Sequence, residues 1–240
     1  MKVAQIWRHP IKAVGAEQSA SAVFRSGVGM EGDRVWALTH EKSKYDGSEW
    51  AICMNFLRGA SCPQLMAVTA ETVAGGLRLS HPAQGEITLD PAGNTSAFLD
   101  WVRPLVAPRE PVALMPAPGR ALTDSHIANI TIGNLASLDA LSERVGQPLD
   151  RRRFRANIWI EGAEAWSEYG WAGRDATLGA AKLRIYEPVS RCRATEANPE
   201  TGERDADTLG ALAQNDQQFC MKAEILEDGE VRLGDHLALL

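Results

Sequence analysis

Cys192 stands between two arginines, Arg191 and Arg193, inside Glu187-Pro-Val-Ser-Arg-Cys-Arg-Ala-Thr195. A Leu-Arg-Ile-Tyr run ending at Tyr186 reads as a strand before it, and Asn198-Pro…Thr-Gly202 reads as a turn after it. The thiol is therefore expected where a strand gives way to a loop, the usual seat of reactive groups. Two neighbouring cations favour thiolate over thiol, and thiolate is the form that attacks electrophiles or binds soft metals. The competing reading is a small buried residue, since free cysteine is among the most buried types.

A second cluster lies in Asp150-Arg-Arg-Arg-Phe-Arg-Ala-Asn157, which runs into the strand-like Ile158-Trp-Ile160. Read as extended, the run puts Arg153, Arg155 and Asn157 on one face and Arg151 on the solvent side. Guanidinium groups on one face make a phosphate or carboxylate clamp. The alternative is a solvated charge run. Lys12, in Pro-Ile-Lys-Ala-Val-Gly, sits in a turn-like segment, and its local context favours a solvated lysine.

These residues must be positioned by a chain of 240 residues, long enough for one large or two small domains. Its 45% hydrophobic and 23% charged content is ordinary for a globular protein. A net charge of −6 argues against a general nucleic-acid binder. No apolar run approaches a membrane span, and the N-terminus has too short an apolar run for a signal peptide, so a cytoplasmic protein without membrane contact is expected. The four cysteines are scattered and form no Cys-x-x-Cys pair, which leaves a zinc ribbon or an iron–sulfur cluster without ligands.

Short strands punctuated by glycine and proline run through the first half: Val3 to Trp7, Ser21 to Arg25, Asp33 to Thr39, Leu65 to Thr72, Gly76 to Ser80, Glu86 to Leu89 and Val112 to Met115. Thr95 to Val102 looks helical. This pattern argues for a β-rich sandwich or barrel. Gly27-Val-Gly-Met-Glu-Gly32 matches G-x-G-x-x-G, but the residues after it are strand-like. It is read as a turn between strands rather than a dinucleotide site. Met115-Pro-Ala-Pro-Gly119 marks a boundary, giving domains at 1–115 and 120–240. Leu135 to Val145 is the clearest helix, with Asn134 as N-cap and Gly146 closing it. Thr208 to Asp216 is a short helix. Phe219 to Leu226 and Val231 to Leu239 are expected to close the chain as a hairpin through Asp228-Gly-Glu.

In order, His9-Pro-Ile-Lys12, Gly32-Asp-Arg-Val-Trp36, Arg-Phe-Arg-Ala-Asn157, Trp171-Ala-Gly, Arg191-Cys-Arg-x-Thr195, Asn198-Pro-x-Thr-Gly202 and Gly234-Asp235 resemble the MOSC family, named after the C-terminal domain of molybdenum cofactor sulfurase. The first half resembles that family's N-terminal β-barrel domain. Among characterised members, the pattern resembles enzymes that reduce N-hydroxylated compounds, such as the amidoxime-reducing component. Three departures stand out. Ala13 replaces the usual serine after the lysine, the segment between Thr39 and Leu65 does not follow the family arrangement, and His126 in Thr123-Asp-Ser-His126 replaces proline.

The resemblance implies a β-rich α+β fold: an N-terminal β-barrel-like domain and a C-terminal MOSC β-barrel with peripheral helices. It implies a molybdenum cofactor, a pterin dithiolene carrying molybdenum, with Cys192 as metal ligand and catalytic centre. Lys12, Arg34, Arg153 and Arg155 would hold its phosphate and polar edges. Ser125, Asn157, Arg191, Arg193, Thr195 and Asn198 are the other cofactor-binding candidates. The activity would be reduction of a small N-hydroxylated substrate by oxygen-atom transfer, with the redox chemistry carried by the cofactor. A separate ferredoxin- or flavin-type protein would supply electrons, because the chain shows no nicotinamide or iron–sulfur motif and ends soon after its closing strands. Two alternatives stay open: sulfur transfer through a Cys192 persulfide, and a non-enzymatic carrier of the cofactor. Pyridoxal phosphate is not expected, as no lysine has a Schiff-base context.

Overall fold

The computed structural model describes residues 1–240. In chain order the strands and helices are β1 (Lys2–Arg8), β2 (Ile11–Lys12), β3 (Glu17–Ser19), β4 (Ser21–Arg25), β5 (Gly29–Met30), β6 (Trp36–His40), β7 (Thr69–Val73), β8 (Gly76–His81), β9 (Gly85–Leu89), α1 (Ser96–Val106), β10 (Pro111–Pro116), β11 (Asn129–Asn134), α2 (Leu135–Val145), β12 (Ile158–Glu161), β13 (Arg174–Leu178), β14 (Ala181–Ser190), α3 (Thr208–Ala211), β15 (Gln218–Glu227), β16 (Gly229–Arg232) and β17 (Leu237–Leu239). The chain is β-rich, as its short, punctuated apolar runs require, and no helix is long and apolar enough to cross a membrane.

The larger body is an eight-stranded sheet ordered β17-β13-β14-β15-β11-β12-β1-β3. It curls back on itself where Lys2 bridges His236 and the Val3 amide donates to the Asp235 carbonyl. Strands β16, β4 and β5 form a second sheet over it. Alternate residues point inward on β14 (Leu183 and Ile185) and β15 (Ala223 and Ile225), a bulge on β1 brings both Val3 and Ile6 inward, and these fill one barrel core with Phe24, Ile158 and Val231. α2 and the aromatic group Phe154, Trp159 and Phe219 pack on its outside.

The smaller body joins two three-stranded sheets, β10-β6-β2 and β7-β8-β9, through α1. Phe98, Val102 and Leu105 of α1 meet Leu38, Leu77, Leu79 and Leu114 from those sheets. A cut at 115–120 does not separate the two bodies, because β1 and β3 belong to the large sheet and β4 pairs with β16.

Several expectations hold. α2 spans Leu135–Val145, with the Asn134 side chain accepting from the Ala136 amide (3.1 Å) and Gly146 left-handed at its end. The G-x-G-x-x-G glycines fall between β4 and β6 and open no helix. Others change. Pro63–Ala67 is a 3₁₀ turn with proline at its start, so the strand predicted from Leu65 begins only at Thr69. The predicted closing hairpin does not form: β15 pairs with β11 and β14, β16 pairs with β4, and β17 pairs with β13. The Asp228 carboxylate accepts from the Ser26 amide (2.8 Å) and ties that corner to the β4 end. Gly229 lets β16 cross there, since a Cβ would fall 2.3 Å from the Ala180 carbonyl carbon.

Candidate functional site

Three turns meet where the two bodies join. The His9 amide donates to Asp33 Oδ1 (2.7 Å), and the Arg34 amide donates to the His9 carbonyl (2.7 Å). Arg34 is left-handed (φ 51°) after Gly32, which turns its guanidinium onto the Asp33 carboxylate and the Arg155 carbonyl (2.9 Å). Arg155 is also left-handed (φ 48°) and donates to the carbonyls of Gly15 (3.1 Å) and Ile11 (3.3 Å). Lys12 is buried rather than solvated: its Nζ donates to the Leu122 carbonyl (2.7 Å) and pairs with Asp124 (2.5 Å). Asp124 is 69% exposed, so the cluster opens to solvent at this pair.

The electrostatics follow from this crowding. Burial works to raise the Asp33 carboxyl, but Arg34 and the His9 hydrogen bonds outweigh it and hold it well below the usual range. Burial and the Asp124 carboxylate act oppositely on Lys12, and burial wins, lowering it. The protein crowded around Asp124 would raise it even though its side chain is largely open, yet Lys12, Arg34 and Arg58 keep it low. Arg155 has no carboxylate partner; burial and then Arg34 pull it down to about 9. Counting Lys12, Arg34, Arg58 and Arg155 against Asp33 and Asp124 leaves four positive charges facing two negative ones. A cleft with that surplus suits a dianion such as a phosphate monoester.

His9 gives a pH prediction. Burial, followed by Arg155, lowers it from the usual 6.5 to about 3. A depressed folded pKa means the unfolded chain binds the extra proton first. The contribution is fully present above pH 6.5 and is lost as pH falls toward 3. Between pH 8 and 5 the loss is about 2 kcal/mol. Denaturant unfolding should show that loss in the wild type and not in His9→Gln; equal pH slopes would contradict it.

Cys192 lies two residues past β14, is exposed, and starts a 3₁₀ turn over Arg193–Glu196. Its carbonyl accepts from both the amide and the hydroxyl of Thr195 (3.1 Å each), and Thr195 Oγ1 is 2.6 Å from Thr208 Oγ1. The expectation that its flanking arginines serve the thiol directly is corrected. Arg191 donates to the carbonyls of Phe219 (2.8 and 2.6 Å) and Phe154 (2.8 Å), while exposed Arg193 pairs with Glu196 (3.0 Å). Arg191 is drawn away by carbonyls of two other segments, and Arg193 by a carboxylate in its own loop.

The alternation argument for Arg153, Arg155 and Asn157 also fails. Asp150 accepts from the Arg152 amide (2.7 Å) and winds Arg151–Phe154 into a 3₁₀ turn. The two arginines therefore diverge. Arg153 is buried on Asp205 (2.6 Å) and the Glu196 carbonyl (3.0 Å), bracing the Cys192 loop, while Arg155 enters the cleft. Asn157 is fully buried between strands, accepting from the Thr131 amide (3.1 Å) and donating to the Trp7 carbonyl (3.2 Å). Asn198 holds Asp205 (2.7 Å). Arg153, Asn157, Arg191, Thr195 and Asn198 thus make scaffold bonds, and of the cofactor-binding candidates Lys12, Arg34 and Arg155 form the cation cluster.

Two connections join the thiol loop to that cluster. The consecutive carbonyls of Phe154 and Arg155 accept from Arg191 and Arg34 respectively. The segment from Cys53 to Ala60 spans both sides. Arg58 Nη1 is 3.6 Å from Cys53 Sγ, a Cβ on Gly59 would sit 3.2 Å from Ala194 Cβ, and Arg204 donates to the Ala60 carbonyl (2.6 Å). The sequence suggested no role for Arg58 and only small-hydrophobe packing for Cys53, because this segment lacks a regular pattern; Cys53 is instead part-exposed beside Arg58. It chose Ser125 in the Thr123–His126 loop; the structure buries Ser125 beside Tyr186 (3.3 Å) and presents Asp124 instead. Asp33 and His9 lay inside quoted motifs without an assigned role.

No three His, Cys, Asp or Glu side chains cluster to hold a metal. A metal at Cys192 would need its other ligands from the bound group itself. An exposed thiol, a soft-metal donor, beside a cation-rich cleft fits a metal carried on an anionic organic ligand.

Residues 122–238 match the MOSC domain family, and residues 1–101 match the MOSC N-terminal beta barrel domain. Mitochondrial amidoxime-reducing component 1 of Xenopus laevis is 31% identical over 113 residues, covering 41% of this chain and 32% of that protein. Molybdenum cofactor sulfurase of Drosophila pseudoobscura pseudoobscura is 27% identical over 113 residues, covering 46% of this chain and 12% of that protein. The chain thus spans about a third or less of the length of these curated relatives. Among solved structures, the YuaD protein from Bacillus subtilis aligns over 99% of this chain and 94% of its own, with a TM-score of 0.49 and 11% identity. The two matches leave residues 102–121 between them, and the chain belongs to the MOSC family, with the MOSC N-terminal barrel domain preceding the MOSC domain.

Proposed function

We propose that the protein binds a molybdenum cofactor and reduces N-hydroxylated compounds. The observation that carries the reading is the cation-rich cleft of Lys12, Arg34 and Arg155 next to the loop that exposes Cys192. Lys12, Arg34 and Arg155 would hold the cofactor's phosphate, and Cys192 its metal. When bound, the cofactor supplies two-electron chemistry at an N–O bond, with the amine or amidine and water as products. The chain's own residues orient and hold it. Asp33 fixes Arg34, Asp124 fixes Lys12, and Arg153 with Thr195 fixes the thiol loop.

The relative named as an amidoxime-reducing component supports a reductase over the persulfide and carrier readings, which no side-chain arrangement favours. Electrons would come from a separate ferredoxin- or flavin-type protein through a small transient contact. The test gives molybdenum-loaded protein benzamidoxime, first with NADH alone and then with an artificial one-electron donor. Turnover only with the artificial donor is expected. Sustained turnover on NADH alone would remove the need for a partner, and turnover with neither would remove the reductase reading.

A further inference from the structure

A pocket of about 380 Å³ opens on the smaller body, within the size range of small-molecule sites. Its lining carries five basic side chains and no carboxylate, in a protein whose net charge is −6. Three of the five have internal partners. His40 lies 2.9 Å from the Met54 carbonyl and accepts from the Lys42 amide, and Arg109 reaches Glu41 at 3.4 Å. Arg58 donates to Cys53 Sγ (3.6 Å), while Lys42 and Lys44 are exposed and form no ion pair. The same lining exposes Ile52 (56%) and Met54 (58%), two of the few large apolar side chains left open on the surface. Free cations beside exposed apolar groups suit an anion on an apolar body.

The pocket shares a wall with the cation cleft. Phe56 lines it, and Lys12 Nζ is 5.9 Å from that ring's centroid. Arg58 lines it too, while lying 3.6 Å from Cys53 Sγ and acting on Asp124. We infer that this pocket binds the carboxylate- or phosphate-bearing apolar end of a small organic substrate. The binding stands on the pocket alone; calling the ligand a substrate rests on the reductase reading.

The probes are 2-naphthoate and its neutral analogue 2-naphthamide, titrated calorimetrically into the full chain. Naphthoate should bind about tenfold or more tightly than the amide, as expected for a charge-assisted contact. The exposed Lys42→Ala/Lys44→Ala double variant should erase that difference, and Lys182→Ala, on the far barrel, should keep it. Equal binding of the two probes, or an unchanged double variant, overturns the site. So does binding of a polyglutamate peptide without naphthoate binding, which would make the patch a protein-docking surface. With loaded protein, the KM for 4-carboxybenzamidoxime should lie about tenfold below that for benzamidoxime and rise in the double variant. Naphthoate binding with equal KM values overturns the substrate role alone. Reduction of neither compound defeats the reductase reading and leaves the probe titration to decide the site.

Discussion

Replacing Cys192 with Ala is expected to remove bound molybdenum and turnover together while leaving the fold untouched. The side chain is exposed and makes no hydrogen bond through sulfur. What shapes its loop is the backbone carbonyl, gripped by Thr195, together with the Arg153 and Arg191 bonds to neighbouring carbonyls. An exposed substitution of that kind changes stability by about 0.5 kcal/mol or less. Metal analysis should fall to background in the purified variant while its denaturation midpoint matches wild type. Retained molybdenum with wild-type turnover would show that another group holds the metal.

Arg153 and Arg155, two residues apart, should behave oppositely. Arg153 is 3% exposed and sits on Asp205, which is 35% exposed, and on the Glu196 carbonyl. Arg153→Ala leaves these oxygens unmatched and should cost about 2–4 kcal/mol, discounted for the solvent access of Asp205. Arg155 is a buried cation with no carboxylate on it, pulled down to about 9 by burial and Arg34. Removing such a charge also removes its desolvation penalty, which offsets the loss of its bonds to the Gly15 and Ile11 carbonyls. Arg155→Met should therefore stay within about 1 kcal/mol of wild type in the cofactor-free protein. It should also weaken cofactor retention about 10- to 150-fold, the worth of one charge-assisted contact. Unfolding curves and molybdenum retention on dialysis measure the two effects. Equal behaviour of the variants would undo the division between scaffold and cleft.

The parts of this fold that local patterns determine were legible. α2 follows from leucines on one face, the Asn134 cap and Gly146, all encoded within a dozen residues. The turn character of Gly27 to Gly32 followed from the strand-like residues after it. The closing hairpin was misread because turn residues at Asp228 do not say which strand the chain joins next. Asp228 is bound by Ser26, some two hundred residues away. The site divides in the same way. Cys192 and Arg155 could be singled out by type and spacing, but the direction of Arg153 depended on Asp150 winding the chain into a 3₁₀ turn. Asp124 became visible only once the fold buried Lys12 beside it.

The most direct measurement is the molybdenum content of the wild-type protein, freshly purified from a host that makes the cofactor. The account predicts close to one molybdenum per chain, released when Cys192 is replaced. Absence of molybdenum, together with a persulfide mass shift on Cys192, would contradict it and assign the thiol to sulfur transfer.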